Sequence, residues 1–148
     1  MDVLQHLEGE HRMVEGLLAA LSASKAGAER NRLLRRLAVV IEAHMAFEER
    51  FVHPLVERDI EVAMAEEAYV EHDLTRTAIA VIMELAAQPG FIAAVEMVKG
   101  GFAHHLDEEE RLMFPALRAT AAHELAALEP RVQRVLALAA EEVDGILV

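Results

Sequence analysis

Residues 40–56, VIEAHMAFEERFVHPLV, and residues 101–117, GFAHHLDEEERLMFPAL, are two versions of one pattern. Slid by 61 positions, His44 falls on His105, Glu48 on Glu109, Glu49 on Glu110, Arg50 on Arg111 and Pro54 on Pro115. The same offset places Glu10-His11 on Glu71-His72. Alanine-rich helices produce chance apolar matches, but composition does not explain histidine, glutamate and proline recurring together at one spacing. The chain therefore reads as two helical hairpins in tandem, related by an approximate twofold axis. Each hairpin offers one histidine from its first helix and a His-x-x-x-Glu pair from its second.

Working outward from the repeat, the apolar residues keep a helical period. Val3, Leu4, Leu7, Val14, Leu17, Leu18 and Leu21 place a first helix over residues 3–21, and SASKAGA after it reads as a loop. A second helix is expected over 29–56, with Pro54 ending or bending it. Asp59 is positioned to cap a third helix running to residue 87, where Gln88-Pro89-Gly90 is a stop and turn signal. A fourth spans 91–119, with Gly100-Gly101 inside it. Thr120 is positioned to cap a last segment to residue 143, which Pro130 splits or restarts. Low aromatic content (4%), seven glycines and four prolines agree with helix over strand. The expected fold class is all-α: an up-and-down four-helix bundle over about 2–119 with a short C-terminal helical extension over about 120–145, forming one domain over 1–148.

A formal charge of -12 and the lack of any Lys/Arg cluster argue against nucleic acid and anionic membrane as partners. The apolar runs LAVVI and AIAVIM are far too short to span a bilayer. Nothing in MDVLQHLEGEHR resembles an export signal, and a chain without cysteine suits a reducing compartment, so a cytoplasmic location is expected. With no cysteine, any metal must be held by imidazole and carboxylate.

Residues four apart on a helix lie about 40° apart around its axis, so His44 with Glu48, and His105 with Glu109, can reach one centre from successive turns. Either pair alone is an ordinary exposed helix pair; the repetition shifts the reading to metal. A carboxylate has two oxygens and can bridge two ions about 3.5 Å apart. Adding His11 and His72 gives a candidate metal set of His11, His44, Glu48, His72, His105 and Glu109. Glu10 and Glu71, recurring beside His11 and His72, are candidates to hydrogen-bond the ligands. His53 lies nine residues after His44, about 180° round an α-helix, and reads as a surface or rim residue. His104 reads as surface or supporting, and His6 and His123 as solvent-facing. Glu49, Glu108 and Glu110 read as solvated or paired with Arg50 and Arg111. Met13, Met45, Met83, Met97 and Met113 read as core packing.

In EHRMVEGLL, HMAFEERFVHPL, EHDL and HHLDEEERLMFPAL the chain resembles the hemerythrin-like HHE cation-binding family over residues 6–117. The specific feature is His-x-x-x-Glu with a proline ten residues after the histidine, present twice. The resemblance implies a four-helix bundle holding two iron ions bridged by carboxylates and by an oxo, hydroxo or water species, with other divalent metals also compatible. It implies reversible dioxygen binding, sensing of iron or oxygen, nitric oxide responses or repair of iron centres. Oxygen-carrying members have a second histidine one turn after the first on the third helix, where this chain has Arg76 after His72. The resemblance then implies two irons more alike and more open than in a simple carrier. The expected function is a non-heme di-iron protein that binds or reacts with dioxygen, peroxide or nitric oxide, or handles or senses iron, with enzymatic turnover left open. The alternative is a metal-stabilised helical interaction module or a single-zinc protein without redox activity. Protein partners and the choice between monomer and homo-oligomer stay open.

Overall fold

The computed structural model describes residues 2–132, and every regular element among them is helical. The elements are α1 (Val3–Ser22), α2 (Ala28–Phe47), α3 (His53–Asp59), α4 (Val62–Glu84), α5 (Phe91–Glu108) and α6 (Phe114–Thr120). A further helical stretch covers 122–132, and the rest of the expected C-terminal extension lies outside the described residues. No helix among the described residues is long and apolar enough to cross a membrane.

The helix starts follow local chemistry, with two departures from expectation. Asp2 caps α1 reciprocally: its carboxylate accepts from the Gln5 backbone N–H, and the Gln5 side chain accepts from the Asp2 N–H, both at 2.8 Å. Gly90, at φ 93°, supplies the left-handed turn that starts α5. Asp59 is not the cap of α4. It ends α3 and pairs with Arg58, while Glu61 occupies the cap position without a side-chain bond. Thr120 likewise does not cap the last stretch; its hydroxyl donates back to the Ala116 carbonyl within α6.

Pro54 and Pro115 do not end their helices. Each follows a π-helical turn, Glu48–Val52 joining α2 to α3 and Glu109–Met113 joining α5 to α6. In a straight α-helix a proline ring clashes with the carbonyl four residues back. The wider turn is where the chain accommodates it, and helical structure resumes with proline in the first turn of α3 and of α6. The two π-turns stand 61 residues apart, matching the sequence repeat.

Two apolar clusters make up the core. One contains Leu17, Leu21, Leu37, Ile41, Ile82, Phe91 and Phe102, and the other Leu4, Leu7, Val56, Ala68, Phe114 and Leu117. Along α1 and α4 the chain passes from the second cluster to the first; along α2 with α3, and α5 with α6, it passes from the first to the second. In all four cases the crossing point is a histidine or a histidine and glutamate: His11, His44 with Glu48, His72, and His105 with Glu109. The methionines divide: Met45 and Met113 are buried, whereas Met13, Met83 and Met97 are exposed and do not belong to the core. Their helical spacing was compatible with either face, and the apolar volume is filled by leucine, isoleucine and phenylalanine instead.

Arg30 is a buried residue that the apolar pattern did not single out. Its guanidinium donates to the Ser24 and Ala86 carbonyls at 2.6 and 2.8 Å and lies 3.9 Å over the Phe91 ring, tying the α1–α2 loop to the α4–α5 turn.

Truncation of Leu37, fully buried, to alanine is expected to cost about 2–5 kcal/mol of unfolding free energy. Leu74→Ala, at a position 65% exposed, is expected to stay within about 0.5 kcal/mol. Urea unfolding followed by circular dichroism checks the pair; equal losses would show that the core is not where these clusters place it.

Candidate metal centre

The six residues singled out in the sequence come together in one buried layer between the two apolar clusters. Each glutamate faces one histidine of its own helix and one from another. Glu48 Oε1 lies 2.8 Å from His44 Nε2 and 3.4 Å from His72 Nε2. Glu109 Oε1 lies 2.7 Å from His105 Nε2, and its Oε2 lies 3.1 Å from His11 Nε2. The two sets of contacts map onto each other at the offset of 61. The side chains form two overlapping groups of four donors, His11, His44, Glu48, Glu109 and Glu48, His72, His105, Glu109, with ligand atoms within 4.8 Å of one another in each. Both glutamates belong to both groups.

These separations are short, yet the facing atoms do not satisfy one another. Nε2 of His11, His44, His72 and His105, both oxygens of Glu48 and Oε2 of Glu109 have no hydrogen bond of acceptable geometry. Among the described residues, the other buried side-chain atoms left without a partner are the two ring nitrogens of His53, packed against His72. Buried polar atoms in folded proteins are otherwise paired, and such a concentration needs a ligand to account for it. Two donors bound to one ion at about 2.1 Å and at right angles stand about 3.0 Å apart. That is the range seen between these imidazole and carboxylate atoms, so the donor set fits a metal.

The family model for the hemerythrin HHE cation-binding domain matches residues 2–117. The chain belongs to the hemerythrin HHE cation-binding family. No curated protein and no solved structure matches it.

In this hemerythrin-like chain a second ring of carboxylates fixes the imidazoles from behind. His11 Nδ1 meets Glu110 at 2.9 Å, His72 Nδ1 meets Glu49 at 3.2 Å, His44 Nδ1 meets Glu10 at 3.4 Å, and His105 Nδ1 meets Glu71. An ionised carboxylate only accepts, so each Nδ1 carries a hydrogen and donates, leaving Nε2 as the nitrogen turned inward. The four contacts again form two pairs at the offset of 61. Glu10 and Glu71 take the supporting place expected of them. Glu49 and Glu110 were expected to be solvated or paired with Arg50 and Arg111, and they are neither. Their arginine partners come from neighbouring helices: Arg76 donates to Glu49 at 2.8 Å, and Arg12 donates to Glu110. Successive residues point about 100° apart on a helix, which turns Arg50 and Arg111 to solvent. Arg76 thus clamps the carboxylate behind His72 from one turn further along α4.

Charge follows from this geometry. Burial opposes it, yet the carboxylates of Glu48 and Glu10 hold the His44 imidazole well above its ordinary pKa. Against the same burial, Glu109 and Glu71 hold His105 up at about 10. Glu48 is held well below the ordinary carboxylate range, its burial outweighed by His44, His72 and His105. Glu48 is therefore kept ionised, and a cation taken up by the layer would displace the protons that His44 and His105 otherwise hold.

His53 overturns a sequence expectation. It is 1% exposed rather than a rim residue, packed between Tyr69 and His72 with ring centroids 4.6 and 4.7 Å away. The half-turn estimate assumed an unbroken α-helix. The π-turn takes up one extra residue, about 100° of rotation, and brings residue 53 round to the inner face. The Tyr69 hydroxyl donates to the Glu49 carbonyl within that turn at 3.0 Å. His104 is exposed beside Glu108, in keeping with a surface role, and His123 is exposed while His6 is half-buried. A cleft of about 510 Å³ between α4 and α5, walled by Leu74, Ala78, Met97 and Phe102, reaches His105 and Glu71 from outside.

Substituting Glu71 or Glu110 by alanine is expected to weaken metal affinity about 10–100-fold by freeing the imidazole behind which each sits. His104→Ala should leave affinity unchanged. Competition against a chromophoric chelator reads all three; loss in His104→Ala equal to that in Glu71→Ala would contradict the assignment.

Proposed function

We propose that this chain is a cytoplasmic non-heme di-iron protein that binds or reacts with dioxygen, peroxide or nitric oxide. On this reading its helices form an up-and-down four-helix bundle within a single domain. The alternating order in which α1, α2, α4 and α5 meet the two apolar clusters supports that topology. His11 and His44 would hold one ion and His72 and His105 the other, with Glu48 and Glu109 available to both.

The observation that carries the reading is the inward-facing set of unpartnered Nε2 and carboxylate atoms, buried on every side. Charge supports two ions rather than one. Six carboxylates contact the four imidazoles, and Arg12 and Arg76 contact two of those carboxylates; with the imidazoles neutral, as metal ligation requires, -6 and +2 leave -4, the charge that two divalent cations neutralise.

Bound iron supplies electron transfer and open coordination positions for a small ligand. The chain's own residues do the rest. The four outer glutamates orient the imidazoles, the shared glutamates hold the centre between the two helical hairpins, and the apolar clusters above and below keep water from it. The cleft lined by His105 and Glu71 borders the centre from outside.

Glu48→Ala and Glu109→Ala test the shared-glutamate arrangement. Each removes a donor from both groups, so each is expected to lower metal content from two ions per chain to one or none, measured by elemental analysis of protein loaded anaerobically with ferrous iron. Full metal content in both variants would sink the reading.

A further inference from the structure

The repeat breaks at one buried position. Residue 53 is histidine, and residue 114, 61 positions later, is phenylalanine. Both are buried, and both pack on the corresponding imidazole of the layer. Phe114 stacks on His11 with centroids 5.9 Å apart and planes at 12°, while His53 lies 4.7 Å from His72 at 38°. Phenylalanine evidently satisfies the packing requirement at this place. An imidazole there adds two nitrogen atoms, and neither Nδ1 nor Nε2 of His53 has a hydrogen-bond partner.

A neutral imidazole has one donor and one acceptor nitrogen, and burying both unpaired is unfavourable. His53 is not one of the donors in either group of four, so it does not complete the metal shell. Its ring packs against the His72 ring at 4.7 Å, with the Tyr69 ring edge-on at 4.6 Å, and the charges of the Glu48, Glu109 and Glu49 carboxylates act on it. Its unpaired nitrogens therefore adjoin the His72 half of the centre, where the other half presents only the apolar Phe114 ring.

We propose that His53 is the hydrogen-bonding residue for a small ligand with a terminal acceptor atom, held at the His72 side of the centre. The two halves then differ in what they bind: a polar position beside His53 and an apolar one against Phe114. The inference rests on the metal reading above. It makes ligand binding one-sided even though the six metal donors are arranged alike in the two halves.

Azide is the probe, titrated into the iron-loaded, oxidised protein and followed by its charge-transfer absorption. In the unaltered protein one azide is expected per two irons, perturbing one of two Mössbauer signals. His53→Phe, which copies the residue found at position 114, is expected to keep its iron and its fold while azide affinity falls about tenfold, the worth of one hydrogen bond. Equal azide affinity in the unaltered and His53→Phe proteins would overturn the inference alone. So would loss of iron in His53→Phe, which would make residue 53 a support of the metal rather than of the ligand. Two azides bound equally by the unaltered protein would also overturn it, whether or not the variant folds. Failure of the unaltered protein to take up iron would instead remove the metal reading on which the inference stands.

Discussion

Six carboxylates crowd four imidazoles in a layer from which water is largely excluded, and the rest of the fold is organised around making that tolerable. Isolated buried charges are costly enough that side chains usually neutralise instead. Here Glu48 is kept ionised by three surrounding histidines, and Glu49 and Glu110 are tethered by Arg76 and Arg12. Among the described residues, the inner Nε2 atoms, both Glu48 oxygens and Glu109 Oε2 nonetheless have no hydrogen bond. Half-satisfied polar networks are worse than apolar packing, which makes a bound cation the natural completion of this one.

The apolar clusters on either side give the layer its rigidity. Because each long helix passes through both clusters, a histidine at the crossing point is fixed above and below by packed apolar side chains. The outer glutamates then set the rotation of each ring. Position comes from hydrophobic packing and orientation from hydrogen bonding, so substitutions in the two are expected to fail differently: one in stability, the other in affinity.

Much of this was legible in the sequence because helical period and a 61-residue repeat act on the same side chains. The repeat separated His105 from His104 and Glu48 and Glu109 from their acidic neighbours, and the structure buries the residues it selected. What was not legible depends on departures from the ideal α-helix. A single extra residue in each π-turn changes the facing of everything after it, which moved His53 from the rim to the interior. The same turns absorbed Pro54, which read as ending or bending its helix in the sequence, and its counterpart Pro115. Arg12, Arg76 and Arg30 escaped because their partners lie on other helices or, for Arg30, on loop carbonyls, and no periodicity within one helix reports such contacts. Asp59 escaped for a local reason: the adjacent Arg58 offers its carboxylate a charged partner in place of the backbone.

The central claim is that the two groups of donors sharing Glu48 and Glu109 each hold an iron ion. X-ray absorption at the iron edge, on protein purified without added metal, tests it most directly. The account predicts nitrogen and oxygen neighbours, imidazole scattering, and a second iron at about 3.5 Å. A spectrum with no iron–iron vector, or protein carrying a single zinc ion in place of iron, would contradict it.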